Sequence, residues 1–115
     1  MSRSDRERLA DVMSACASVA VAERYLDLAT ASSDSDLYEV AYAAILYYLV
    51  IIGEAISALS EAVRNRAPTI PWTDIRAMRN VLTHEYFRVN PRNVHDTLDL
   101  HLRQLADECV RLARS

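Results

Sequence analysis

VAYAAILYYLVIIG, residues 40–53, is a run of fourteen uncharged residues closed by the chain's one glycine. A bilayer-spanning helix needs roughly 18 to 20 apolar residues, and here Glu54 follows at once, so the run reads as a buried helix of a globular protein. It is apolar around most of its circumference, and such a helix must be covered on more than one side. A central place among other helices would do this, and so would a second copy of the chain over the outer face. Both are expected. Tyr42, Tyr47 and Tyr48 suit a surface of that kind, because each combines a large apolar ring with a polar tip.

The flanking sequence extends the helical reading. One glycine and three prolines in 115 residues leave few breakers for the tight turns of a β-sandwich. Alanine and leucine, both strong helix formers, dominate the apolar set. The length fits one domain, residues 1–115. Ser4-Asp5-Arg6-Glu7 has the pattern of a capping box. Leu9, Met13, Cys16 and Ala20 then recur at helical spacing, with Val12 and Val19 widening the stripe, for a first helix to about residue 28. TASSDSD, residues 30–36, reads as a loop in which Asp36 and Glu39 repeat the capping pattern. A second helix covers about residues 37–64. NRAPTIPW, residues 65–72, interrupts with two prolines, and a third helix starts near Trp72, with Thr73 or Asp74 at its beginning. Asn90-Pro91 opens a fourth, since asparagine caps and proline takes the first helical position. Its apolar stripe is Val94, Leu98, Leu102, Leu105, Cys109 and Leu112. The expected fold is an all-α antiparallel four-helix bundle, with room for a short additional helix or turn, that dimerises.

The charged opening MSRSDRER is unlike a secretory signal, and the expected location is the cytoplasm, with no membrane partner. Cys16 and Cys109 have neither metal-site nor disulfide-framework spacing and read as buried free thiols. The net charge is −3, yet residues 64–92 hold six arginines against Asp74 and Glu85, a local balance of +4. A basic segment in an otherwise acidic chain suits a local anion site better than a broad polyanion-binding surface.

That segment contains RNVLTHEYF, residues 79–87. On the third helix, Ile75, Met78, Leu82 and Tyr86 are assigned to the core stripe. Arg76, Arg79, Asn80 and Thr83 are assigned to the opposite side, with His84 at its edge. Asn80 and His84 are i,i+4 neighbours, so the amide has the reach to orient the imidazole. Arg79 and His84 stand about 140° apart on an ideal helix. They converge on one small group only if the helix ends near His84, if the arginine reaches around, or if a second copy supplies the missing partner. Arginine offers phosphate a permanently charged fork of donors, and histidine exchanges protons near neutral pH. Together these suffice for cleavage of RNA without a metal, through attack of a ribose 2′-hydroxyl on the adjacent phosphate. His84, His95 and His101 show no paired metal-ligand spacing, so no metal is expected. On spacing alone, Arg-x4-His is a weak pattern, and an ordinary polar helix face is the usual account of it. Glu54, a carboxylate in an apolar stretch, calls for a cationic partner such as Arg79 or is exposed at the end of the bundle.

IIGEA (residues 51–55), IPW (residues 70–72) and MRNVLTHEYF (residues 78–87), taken in that order and spacing, resemble the HepT-like branch of the HEPN ribonuclease toxins. The resemblance spans about residues 40–95. It implies a toxin of a type VII-like toxin–antitoxin pair, active as a homodimer with its site at the interface. Arg79 and His84 would be the catalytic pair of a metal-independent RNA endonuclease, and Asn80 the polar residue that follows the arginine. Tyr86 would be the hydroxyl to which a minimal nucleotidyltransferase antitoxin attaches AMP from ATP, switching the toxin off. The toxin itself would need no cofactor. Glu54 would support the arginine, and Arg76 and Arg88 would meet RNA phosphates. For a hydroxyl to be modified it must be reachable, so the third helix is expected to end near His84 and free Tyr86 from the apolar stripe. The chain departs from the family pattern at Ala77, where glycine is usual, and at His95, where tryptophan is common. The alternative is a non-catalytic module that binds nucleotide or RNA while a nucleotidyltransferase partner does the chemistry. A helical scaffold whose dimer face is its only business is a further alternative.

Overall fold

The computed structural model describes residues 1–84, 94 and 101–114. The N-terminal sequence winds into one long helix, α1 (Arg3–Ser32). Ser2 caps it, two residues earlier than the expected Ser4: its hydroxyl accepts from the Asp5 backbone N–H and donates to the Asp5 carboxylate, both at 3.0 Å. The helix also runs past residue 28. Thr30 and Ser32 return their hydroxyls to the Leu26 and Leu28 carbonyls, so these polar residues are carried inside the last turn. Ser33 then adopts the left-handed conformation, with φ 53°, and ends α1. Asp34, not Asp36, caps the next helix by accepting from the Leu37 N–H at 3.1 Å. Two residues therefore join α1 to α2 (Ser35–Ala58), a link so short that the helices run antiparallel.

α2 stops well before residue 64. Asp5 is buried, and it accepts hydrogen bonds from both the backbone N–H and the hydroxyl of Ser60, each at 2.8 Å. Ser60 in turn accepts from the Val63 N–H and caps α3 (Glu61–Asn65), the short additional helix. A contact between residues 55 apart in sequence thus replaces the local helix, which no periodicity in residues 37–64 announces. The proline segment is pinned by Trp72, whose indole N–H is shared by the Arg64 and Ala67 carbonyls at 3.0 Å each. α4 (Trp72–His84) starts there, and α5 (Arg103–Ala113) follows. Among the described residues there is no strand, and the fold is an all-α bundle. The expected start of the last helix at Asn90-Pro91, and Leu98, lie outside the described residues.

The helices pack in the order α4, α2, α1, α5, so α1 and α2 share the centre. Leu9, Val12, Val19, Ile45, Leu49, Ile52, Ile56, Cys109 and Leu112 have essentially no exposure, and Val94 and Trp72 close the core's edge. By length and composition α2 would pass for a membrane span, but its most apolar side chains face α1 and the rest of this core. Its third side is open: Val40 is 68% and Tyr47 61% exposed. Cys16 and Cys109 are free and buried, and burial pushes their thiols up to about 11 and about 12 respectively.

Candidate active site

α4 places Arg79 differently from the sequence reading. On an ideal helix Arg79 lies only about 40° from Ile75, so it borders the core stripe and does not oppose it. It is accordingly half-buried, 32% exposed, and faces α2. There its Nε donates to Glu54 Oε1 at 2.9 Å, and its Nη2 donates to the same oxygen. Nη1 donates to the Asn80 side-chain oxygen at 3.0 Å. Every nitrogen of the guanidinium is thus oriented by a neighbour, and the cationic partner that Glu54 called for is Arg79. Thr83 returns its hydroxyl to the Arg79 carbonyl at 2.9 Å, tightening that turn of the helix.

His84 and Arg76 are exposed. The Asn80 oxygen serves Arg79 and not the imidazole, so the expected orientation of His84 by Asn80 is replaced by a contact one residue away. The structure therefore gathers Arg79, Asn80 and Glu54, and leaves His84 on a different side of α4. Tyr86, Arg88 and His95 lie outside the described residues, as do the residues that fix where α4 ends. His101 is exposed.

One residue of the site was missed. A Cβ built on Gly53 would lie 2.4 Å from the Arg79 Cβ and 2.8 Å from its Cγ. The signal was present in the sequence, since the chain's one glycine sits mid-helix, where glycine is disfavoured.

The family model for "Ribonuclease HepT-like" matches residues 17–112, most of the chain. The chain belongs to the HepT-like ribonuclease family. Among curated relatives of this HepT-like chain, "Putative RNase TTE0752" of Caldanaerobacter subterraneus subsp. tengcongensis is 44% identical over 50 residues, covering 44% of this chain and 45% of that protein. "Putative RNase MJ0125" of Methanocaldococcus jannaschii is 28% identical over 71 residues, covering 62% and 61%. "Putative RNase MJ1380" of the same organism is 36% identical over 47 residues, covering 41% and 43%. The HepT-like chain thus spans about half the length of the curated relatives it matches. No solved structure matches it.

Proposed function

We propose that this chain is a ribonuclease toxin that cleaves RNA without a metal, using Arg79 and His84. The observation that carries the reading is the built seat of Arg79: a guanidinium held on Nε, Nη1 and Nη2, yet still partly open to solvent. An arginine fixed in this way loses little freedom when a phosphate arrives, and it needs no reorganisation as charge builds on phosphorus. His84 takes the proton from a ribose 2′-hydroxyl. The new bond forms between that oxygen and phosphorus, the bond from phosphorus to the 5′-oxygen breaks, and the leaving oxygen takes a proton from water. Arg76 and Arg88 hold the flanking phosphates.

The site is completed in a homodimer, because one chain presents Arg79 and His84 on sides of α4 about 140° apart. The open stripe of α2 supports this reading. It is uncharged from Val40 through Tyr47 and reaches Glu54, the residue that grips Arg79. A minimal nucleotidyltransferase antitoxin attaches AMP from ATP to the Tyr86 hydroxyl, adding negative charge where RNA phosphate must bind. The setting is the cytoplasm, in keeping with two buried free thiols.

A second reading, a module that binds nucleotide or RNA without cutting it, is favoured by one observation: the guanidinium already engages Glu54 and Asn80, while His84 stands apart. Expression alone and together with a minimal nucleotidyltransferase separates the two. The toxin arrests growth when expressed alone, His84→Ala relieves the arrest while dimer and circular dichroism are unchanged, and co-expression adds AMP-sized mass increments that Tyr86→Phe removes. Purified, unmodified protein that binds nucleotide and leaves cellular RNA intact would establish the second reading.

A further inference from the structure

Gly53 stands inside α2 with an ordinary helical backbone, since the chain has no glycine with positive φ. Conformational freedom is therefore not why it is there. A glycine in a helix interior is costly next to alanine, and no other glycine occurs among the 115 residues. What the position requires is the missing Cβ. A methyl group there would meet the Arg79 Cβ at 2.4 Å and Cγ at 2.8 Å, with the Arg79 Cα at 3.6 Å. Carbon atoms in contact sit about 3.5–4.0 Å apart. Relief at Arg79 cannot come from swinging the end of a flexible side chain, because the closest atom is the Cβ, fixed by the α4 backbone. The helices must move apart by about 1 Å or α4 must rotate.

The next residue, Glu54, carries the carboxylate that takes Arg79 Nε and Nη2. Two consecutive residues thus act on the same side chain at two depths. One admits its root against the α2 backbone, and the other orients its tip.

We propose that Gly53 is a positioning residue for Arg79: its bare Cα sets the depth at which α4 seats on α2, and so places the guanidinium for its work on phosphate. The inference deepens the ribonuclease reading, whose catalytic arginine it concerns, while the contact itself does not depend on what that arginine does.

The test is a double-substitution cycle on the full-length chain, read by thermal melting and by RNA cleavage. Gly53→Ala lowers the melting temperature when Arg79 is present, despite alanine's better helix propensity. In an Arg79→Gly background, where no Cβ remains at position 79, the same Gly53→Ala change raises it. Equal shifts in both backgrounds would overturn the inference, whatever the protein's activity. If the two shifts differ as stated and the unsubstituted chain cleaves no RNA, the packing role stands and the ribonuclease reading falls. Where cleavage is measurable, Gly53→Ala lowers kcat on the order of 100-fold with KM little changed, as expected when a reacting group is displaced by about 1 Å. An unchanged kcat in a folded Gly53→Ala protein would also overturn the proposal. Should Gly53→Ala melt too low to assay, Gly53→Ala/Arg79→Gly compared with Arg79→Gly still reads the stability half of the cycle.

Discussion

Arg79 shows how a single residue can be legible in kind and misjudged in place. Its type and its spacing to His84 pointed to phosphate chemistry. Polarity suggests the outer face for it, whereas the helical angle puts it about 40° from Ile75 and at the edge of the core. Glu54 was legible as a carboxylate in need of a cation, and Arg79 is that cation. Because the pair is partly exposed, it contributes little to stability, within about 1 kcal/mol. Its use is orientation. Glu54→Gln, which keeps an acceptor and loses the charge, is therefore expected to lower RNA cleavage about tenfold through kcat, a barrier increase of about 1.4 kcal/mol. The melting temperature should stay close to that of the parent, with steady-state kinetics and calorimetry as the two readouts. Loss of fold with loss of activity would assign Glu54 to architecture instead.

At the scale of elements, the helices were readable from periodicity while their ends were not. Both early caps fall two residues before the expected ones, because a cap is decided by which carboxylate or hydroxyl reaches a free N–H, and Ser2–Asp5 and Asp34–Leu37 make that contact. The break after α2 was invisible locally, since it depends on Asp5 receiving Ser60 from across the chain. The Ser60 backbone N–H is the main influence holding the Asp5 carboxyl below its ordinary 3.8, aided by the Ser60 and Ser2 hydroxyls and opposed by burial. A depressed folded-state value means that the contact stabilises the protein fully above about pH 4, the ordinary carboxylate range. That contribution is lost as the pH falls through the depressed value. Asp5→Asn is expected to cost about 1.5–3 kcal/mol near neutral pH, as for hydrogen bonds to a charged group. The gap to the parent should then narrow in acid below that range, as followed by denaturant melts across a pH series. A gap independent of pH would mean that the charge of Asp5 does not matter to this junction.

For the whole molecule, the sequence foretold a helix that must be covered on more than one side, by a central place in the bundle, by a second copy, or by both. Among the described residues, α2 packs chiefly on α1 and α4, and its third side is open, with Val40 and Tyr47 on it. If that side carries the second copy, Val40→Asp with Tyr47→Asp should yield a monomer by sedimentation equilibrium, with unchanged helical content. Cleavage should be lost although Arg79 and His84 are intact. A double variant that stays dimeric would move the interface elsewhere, and an active monomer would remove the shared site.

The close approach at Gly53 also bears on how such a gene is silenced by mutation. Every nucleotide change that replaces a glycine with another residue adds at least a Cβ. At this position that addition strikes the arginine's root, where α4 seats on α2. The product would be a full-length chain that has lost its arginine's placement while keeping Val40 and Tyr47 on the open side of α2. If the proposed homodimer forms, such a chain mixed with intact copies would enter it, so one altered allele would disarm the products of a normal one.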